Sequence, residues 1–276
     1  MGAVYVLLGL GLSLIFGLLT VVNFAHGAFF MLGAYLGVYL LGITGNFWVC
    51  LVVVPLAVGL LGMLIEKFLV RHLYGRGIDD PLLLTFGLSY ILVEVVRIGF
   101  GLEGRPFSTP ALLRGAVDLG IGHFPLYRLF LIAATAVIVL GLWLLIEKTR
   151  YGLVIRAGAR DSEIVKVLGI DISRVWLFVF GLGTAMAGLA GILAAPIQAV
   201  TPEMGVPILT EAFVVTVVGG MGSLAGAVVA GLLIGIVVAM TSLLAPDMAK
   251  VSMFVLMAAV LLIRPQGLFG RKGLMG

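Results

Sequence analysis

Few residues of this 276-residue chain could do chemistry, and most stand where apolar runs are interrupted. Asn23 and His26 lie in the break Asn23-Phe24-Ala25-His26-Gly27. Thr216 and Ser223 flank Gly219-Gly220-Met221-Gly222, and Glu94 sits one helical turn before Arg97 inside an apolar run. A broken membrane helix frees backbone N–H and C=O groups, which persist only inside protein or along a water-filled cavity. Amide, imidazole and hydroxyl groups beside such a break suit the passage of a polar solute. For Asn23–Gly27 a tight turn at the membrane edge is equally open. Unpaired charges in lipid are costly, so Glu94 and Arg97 should face each other or the interior, as a structural ion pair or as part of a gate.

The most polar stretch, residues 147–174 (EKTRYGLVIRAGARDSEIVKVLGIDISR), holds six Lys/Arg and four acids between two apolar runs. Within it Asp161 or Ser162 can cap a short helix. Ile164, Val167 and Leu168 share one face, and Gly169 falls where a left-handed C-terminal cap would. A stubby amphipathic helix on a basic loop suits a groove in another protein. An ordinary solvated loop held in place by positive charge is the other reading.

Several chemistries are excluded. No GxxxxGK[ST] occurs, so the chain has no Walker-type phosphate cradle. His26, His72 and His123 are far apart and lack metal-ligand spacing, Cys50 is alone, and neither GxSxG nor HExxH is present. Only Glu94 reads as an intramembrane carboxylate. A proton-driven carrier generally needs more titratable groups along its path. A passive channel, or a subunit powered by a partner, fits better.

The elements that must position these residues follow from composition. At 62% hydrophobic and 11% charged, with mean hydropathy +1.26, the chain is an integral membrane protein. Spans are expected over about Gly2–Val22, up to Leu41, Phe47–Phe68, Pro81–Gly101, Pro125–Ile146, Val175–Ala195 and Val251–Ile263. Leu209–Leu244 is too long for one pass and reads as a half-helix, a Gly turn and a returning helix. Gly9, Ser13 and Gly17, and the glycines of Val175–Ala195, form small-residue packing stripes. Glu103–Phe124 should be an external loop with some local structure. No charge precedes Glu66, so the first span is expected to be retained rather than cleaved. The fold class is therefore all-α: a polytopic transmembrane bundle of about eight spans plus a short broken or re-entrant half-helix. It forms one domain, residues 1–276, carrying the 147–174 loop.

With nine passes, Lys67, Arg71, Arg76, the six basic residues of 147–174, Arg264, Arg271 and Lys272 fall on one side. Arg105, Arg114 and Lys250 fall on the other. This bias puts the N-terminus outside and the C-terminus in the cytoplasm. It also explains the net charge of +4 without any nucleic-acid partner. The order span, break, span, span occurs near both ends of the chain, a possible internal repeat.

NFAHGAFFMLGAY at Asn23–Tyr35, RAGARDSEIVKVLGID at Arg156–Asp171, VVGGMGSLAGAVVAGLLIG at Val217–Gly235 and RPQGLFG at Arg264–Gly270 together resemble the LivH-type permeases of branched-chain amino-acid ABC importers, in order along the whole chain. The resemblance implies a bacterial-type cytoplasmic membrane, two cytoplasmic ATPase subunits, a second permease (the same chain or a LivM-like one) and an external solute-binding protein, with no cofactor. It makes 147–174 the ATPase-coupling loop, with Arg156, Arg160, Asp161, Glu163, Ile164, Leu168 and Gly169 as coupling residues. Asn23, His26, Glu94, Thr216 and Ser223 become transport-path candidates. Val165 and Lys166 depart from the small residues that family members often carry there. Permeases for urea or short-chain amides look similar, and a stand-alone channel for small neutral solutes is the alternative from outside the class.

Overall fold

A computed structural model describes all residues except Thr20, Ile78, Leu119, Ile121 and 271–276. Arg271 and Lys272, counted above with the basic tail, lie outside the described residues. The chain forms α1 (Gly2–Leu19), α2 (His26–Thr44), α3 (Phe47–Phe68), α4 (Asp79–Phe100), β1 (Ala116–Asp118), β2 (His123–Pro125), α5 (Leu126–Lys148), α6 (Arg150–Gly158), α7 (Ser162–Val167), α8 (Ile172–Ala194), α9 (Gly205–Gly219), α10 (Leu224–Leu244) and α11 (Ala249–Ile263). Nine helical segments among the described residues are long and apolar enough to cross a membrane, so the protein is a multi-pass helical bundle.

Local chemistry sets most boundaries. The Asn46 side chain accepts from the backbone N–H of Trp48 and Val49 and starts α3, directly after Gly45 ends α2 in a left-handed conformation. The Asp171 carboxylate accepts from Ser173 N, so α8 begins three residues before the expected Val175. The stretch Leu209–Leu244 divides as expected at the Gly219–Ser223 turn. Its first part is longer than a half-helix, however, because a 3-10 turn at Pro202–Met204 runs straight into Gly205 and makes an 18-residue segment. Pro202 at the start of that turn supplies a preset φ and lacks only a donor that would be free anyway.

The core is built on α8, which packs against α1, α2 and α3. α1 and α8 are mostly buried, whereas α4, α5, α10 and α11 turn most residues outward. Helices approach closely where small residues meet. A Cβ built on Gly33 would stand 2.5 Å from Gly188 Cα, so α2 and α8 touch backbone to backbone. The first helix of each end unit packs on the second helix of the other, α1 on α10 and α9 on α2, and α1 also lies against α9. The expected loop at 103–124 contains a 3-10 turn at Ala111–Leu113 and the antiparallel hairpin β1–β2, with Val117 opposite Phe124. Arg105 bridges to Val200 and ties this segment to the α8–α9 connection.

Candidate functional site

A groove of about 1960 Å³ runs between α1, α5 and α10, from the hairpin end of the bundle to α6 and α7. Its walls are aliphatic: Ala3, Val6 and Leu10 from α1, Ile132 and Val139 from α5, and Val228, Leu232 and Ile236 from α10. Polar groups lie mainly at its ends. Arg128 and Ser242 stand at the hairpin end; Ser223, Glu147, Arg156, Arg160 and Asp161 stand at the other. Thr135 is at mid-height with a buried hydroxyl that has no protein partner. Small-molecule pockets occupy about 300–1,000 Å³, so the volume suits a path or an interface rather than a closed site.

Only Ser223 of the five path candidates opens on this groove, and its hydroxyl caps α10 by accepting from Gly226 N at 3.1 Å. Asn23 and His26 are wholly buried. His26 Nε2 lies 3.2 Å from the Leu8 carbonyl in the middle of α1, so the α1–α2 break is folded into the bundle rather than set at its edge. Asn23 Oδ1 accepts from Ala25 N at 3.0 Å, and Thr85 on α4 accepts from Phe24 N at 3.1 Å, which satisfies part of the freed backbone. Asn23 Nδ2 and His26 Nδ1 have no protein partner. Thr216 is buried and bonds the Ala212 carbonyl in its own helix. Glu94 is half-exposed and pairs with Arg97, whose other arm holds Glu203 before α9 at 2.9 Å. That triad stands away from the groove.

Two buried carboxylates were not legible as such. Glu211 is 8% exposed, within α9, facing Tyr5 of α1 and the Lys250 ammonium. With the helix expected to begin near Leu209 it reads as a terminal residue; starting at Gly205 moves it about one turn inward. This corrects the expectation that Glu94 is the one intramembrane carboxylate. Glu66, fully buried at the end of α3, accepts from both Arg71 Nε (3.2 Å) and Arg71 Nη2 (2.9 Å) and from the Tyr74 hydroxyl (3.2 Å). Burial, then the Glu66 charge, push the Tyr74 phenol above its ordinary value, so it stays a donor. Arg71 also donates to Ser173 O at the start of α8 (3.1 Å), fastening α3 to α8. The spacing 66, 71, 74 belongs to no single helix, because a 3-10 turn intervenes, and helical pattern reading passes over it.

The 147–174 segment makes two short helices. Thr149 caps α6 by accepting from Gly152 N, and Arg156 donates to the Ile146 carbonyl and to Glu147, which fixes the sharp α5–α6 corner. The Asp161 carboxylate accepts from Glu163 N and Ile164 N, both at 3.0 Å, and caps α7. Gly169 takes φ +79°, the left-handed stop its type allows. Val165 is buried, and Lys166 lies over the Trp176 ring of α8 at 5.9 Å and pairs with Glu163. Ile164, Val167 and Leu168 are 58%, 87% and 71% exposed, an apolar tip on a polar stem. Asp161, Ile164 and Leu168 also close the end of the groove. Arg160 and Glu163 are exposed around this tip.

No cluster of His, Cys, Asp or Glu able to hold a metal occurs among the described residues. The described residues thus form a multi-pass membrane bundle in which small-residue helix contacts surround an aliphatic groove. A family model described as branched-chain amino acid transport system / permease component matches residues 1–263, and the chain belongs to that family. Over 98% of this chain and 92% of theirs, it is 29% identical both to the high-affinity branched-chain amino acid transport system permease protein BraD of Pseudomonas aeruginosa and to LivH of Escherichia coli K12. It is 28% identical to Escherichia coli LivM, over 96% of this chain and 67% of that one. No solved structure matches.

Proposed function

We propose that this chain is the membrane-spanning subunit of an ATP-driven importer of branched-chain amino acids. It would work in the cytoplasmic membrane with two cytoplasmic ATPase subunits, a second permease subunit and an external solute-binding protein. The observation that carries this reading is the exposed apolar tip Ile164–Val167–Leu168 at one end of an aliphatic groove that runs the length of the bundle. The names of the similar permeases, BraD and LivH, support the substrate class, and the similarity to LivM supports a LivM-like partner as well as a second copy.

In this reading α7 is cytoplasmic, α6–α7 is the coupling segment, and the N-terminus lies outside. The ATPase grips Ile164, Val167 and Leu168, with Arg156, Arg160, Asp161, Glu163 and Gly169 shaping and capping the segment. Because Lys166 holds α7 to Trp176 at the foot of α8, and the Thr149 and Arg156 contacts hold α6 to α5, a push on α7 reaches both helices as one rigid displacement. α5 walls the groove and α8 is the core, so the displacement would alter the width of the groove. An aliphatic side chain gains on leaving water for these walls, while the substrate's charged ends need the polar groups of Arg128, Ser242, Thr135 and Ser223 in turn. Asn23, His26 and Thr216 support the path from within the bundle without lining it, and Glu94 ties α4 to the segment before α9 through Arg97 and Glu203.

The test is uptake of labelled leucine by vesicles carrying the chain with its ATPase and binding-protein partners. ATP-dependent uptake competed by isoleucine and valine, and not by urea or a short amide, is expected. Uptake without ATPase subunits would overturn the importer in favour of a channel, and competition by urea alone would overturn the substrate class.

A further inference from the structure

The RPQGLFG segment at the end of the described chain has no part in the account so far, yet it does not hang free. Arg264 to Gly267 makes a β-turn, with Pro265 in its second position and Gly267 N donating to Arg264 O at 2.9 Å. The segment then doubles back under the bundle. Leu268 N donates to Val218 O at 2.8 Å, and Phe269 N donates to Gly219 O at 3.0 Å. Those two carbonyls belong to the last turn of α9 and have no partners within the helix, a deficit that water cannot relieve inside a bundle. The tail therefore supplies the missing donors.

The contact is backbone against backbone. A Cβ on Gly267, which has φ +77°, would stand 2.5 Å from Val217 O and 2.6 Å from Gly220 N. One on Gly220, φ +97°, would stand 2.7 Å from Gly270 Cα. The two motifs around Gly219-Gly220 and Gly267–Gly270 thus form one interlocked unit, although 46 residues lie between Gly220 and Gly267. The unit delivers a side chain to a definite place: Phe269, half-exposed, lines the groove at the end where Met221, Gly222, Ser223 and Leu168 also line it.

We propose that Phe269, held by the docked tail, is the inner seal of the groove: an aromatic stopper at the end nearest α7, positioned by the α9–α10 break. The proposal rests on the groove being the transport path. It adds that the tail, the break and the coupling tip meet at one mouth. A displacement of α7 then acts where the seal sits, and the docked tail keeps the mouth shut when no displacement is applied.

The test uses the full transporter complex in proteoliposomes loaded with labelled leucine and given no ATP. Phe269→Ala is expected to raise efflux at least about fivefold over wild type, by removing the state in which the mouth is closed. Phe269→Trp should leak no more than wild type. Gly267→Val, which lifts the tail without touching the stopper, should also leak. Wild-type efflux from Phe269→Ala and Gly267→Val, with ATP-driven uptake intact, would overturn the seal. If Phe269→Ala does not accumulate in the membrane, Phe269→Leu is read in its place, with a smaller leak expected and wild-type efflux again overturning the proposal. If the wild-type complex moves no leucine at all, the importer reading fails, and the seal is judged without substrate. A Leu232→Cys label site in a Cys50→Ser background should then react faster with an impermeant maleimide applied from the tail side when Phe269 is Ala. An unchanged rate would overturn the seal on its own.

Discussion

One guanidinium, that of Arg71, takes both oxygens of the fully buried Glu66 carboxylate, at 3.2 and 2.9 Å, while a third bond runs from Arg71 to Ser173 O. Two ends that the chain separates by more than a hundred residues are thereby fixed: the foot of α3 and the foot of α8. The apolar tip of α7 stands on this foot, since Lys166 of α7 lies over Trp176 and Trp176 stacks edge-on with Tyr74 at 4.7 Å.

Breaking that bracket should therefore be costly. Removing one partner of a buried, hydrogen-bonded pair leaves an uncompensated charge, worth about 3–5 kcal/mol. Arg71→Met is expected to lower the thermal midpoint in detergent strongly and Glu66→Gln less so, because glutamine keeps an acceptor. Tyr74→Phe removes one neutral donor and should cost only about 1 kcal/mol. Equal midpoints for Arg71→Met and wild type would refute the bracket.

The Asp161 cap predicts a selective defect. Asp161→Ala strips the acceptor from Glu163 N and Ile164 N and should weaken α7 by about 1 kcal/mol, a large share for a six-residue helix. Uptake per ATP hydrolysed is expected to fall several-fold while the chain still accumulates. Asp161→Asn, an equally good cap, should restore it, and failure of Asn to rescue would show that charge rather than capping matters.

Close helix contacts set a contrast between glycines. Gly33→Val forces a side chain into the Gly188 backbone and should destabilise by more than about 2 kcal/mol. Gly141→Ala, in α5 with nothing within 4 Å, is expected to be neutral or slightly stabilising. Thermal unfolding of the two variants side by side is the check.

For the surface triad the expectation is small. Glu94 and Glu203 are more than half exposed, and ion pairs of this kind contribute about 0–1 kcal/mol. Glu94→Gln should leave leucine uptake within about twofold of wild type, as an exposed pair remote from the groove predicts. A complete loss of uptake would return Glu94 to the path.

Most of this fold was legible because its signals are local. Asp161 and Gly169 are a cap and a stop that their residue types announce, and the apolar runs mark the nine segments that are long enough to cross a membrane among the described residues. What escaped is non-local. His26 reads as a polar residue at a break, and only the return of the chain ahead of α2 sets its ring beside Leu8 O of α1. Glu66 and Arg71 look like ordinary flanking charges until a 3-10 turn brings them together. The groove is lined mostly by aliphatic residues with no signature beyond hydrophobicity, so reading for polar residues at helix breaks passes over its walls. The RPQGLFG segment could be recognised as a motif, but its docking onto Val218 and Gly219 depends on a turn far away in the chain.

The central claim is that the apolar tip of α7 is held by an ATPase on the cytoplasmic side, and labelling of a Val167→Cys variant tests it most directly. In inside-out vesicles stripped of ATPase subunits an impermeant thiol reagent should modify this position rapidly. Rebinding the ATPase should protect it, and right-side-out vesicles should not label. Modification from the outer face, or equal labelling with and without the ATPase, would contradict the account.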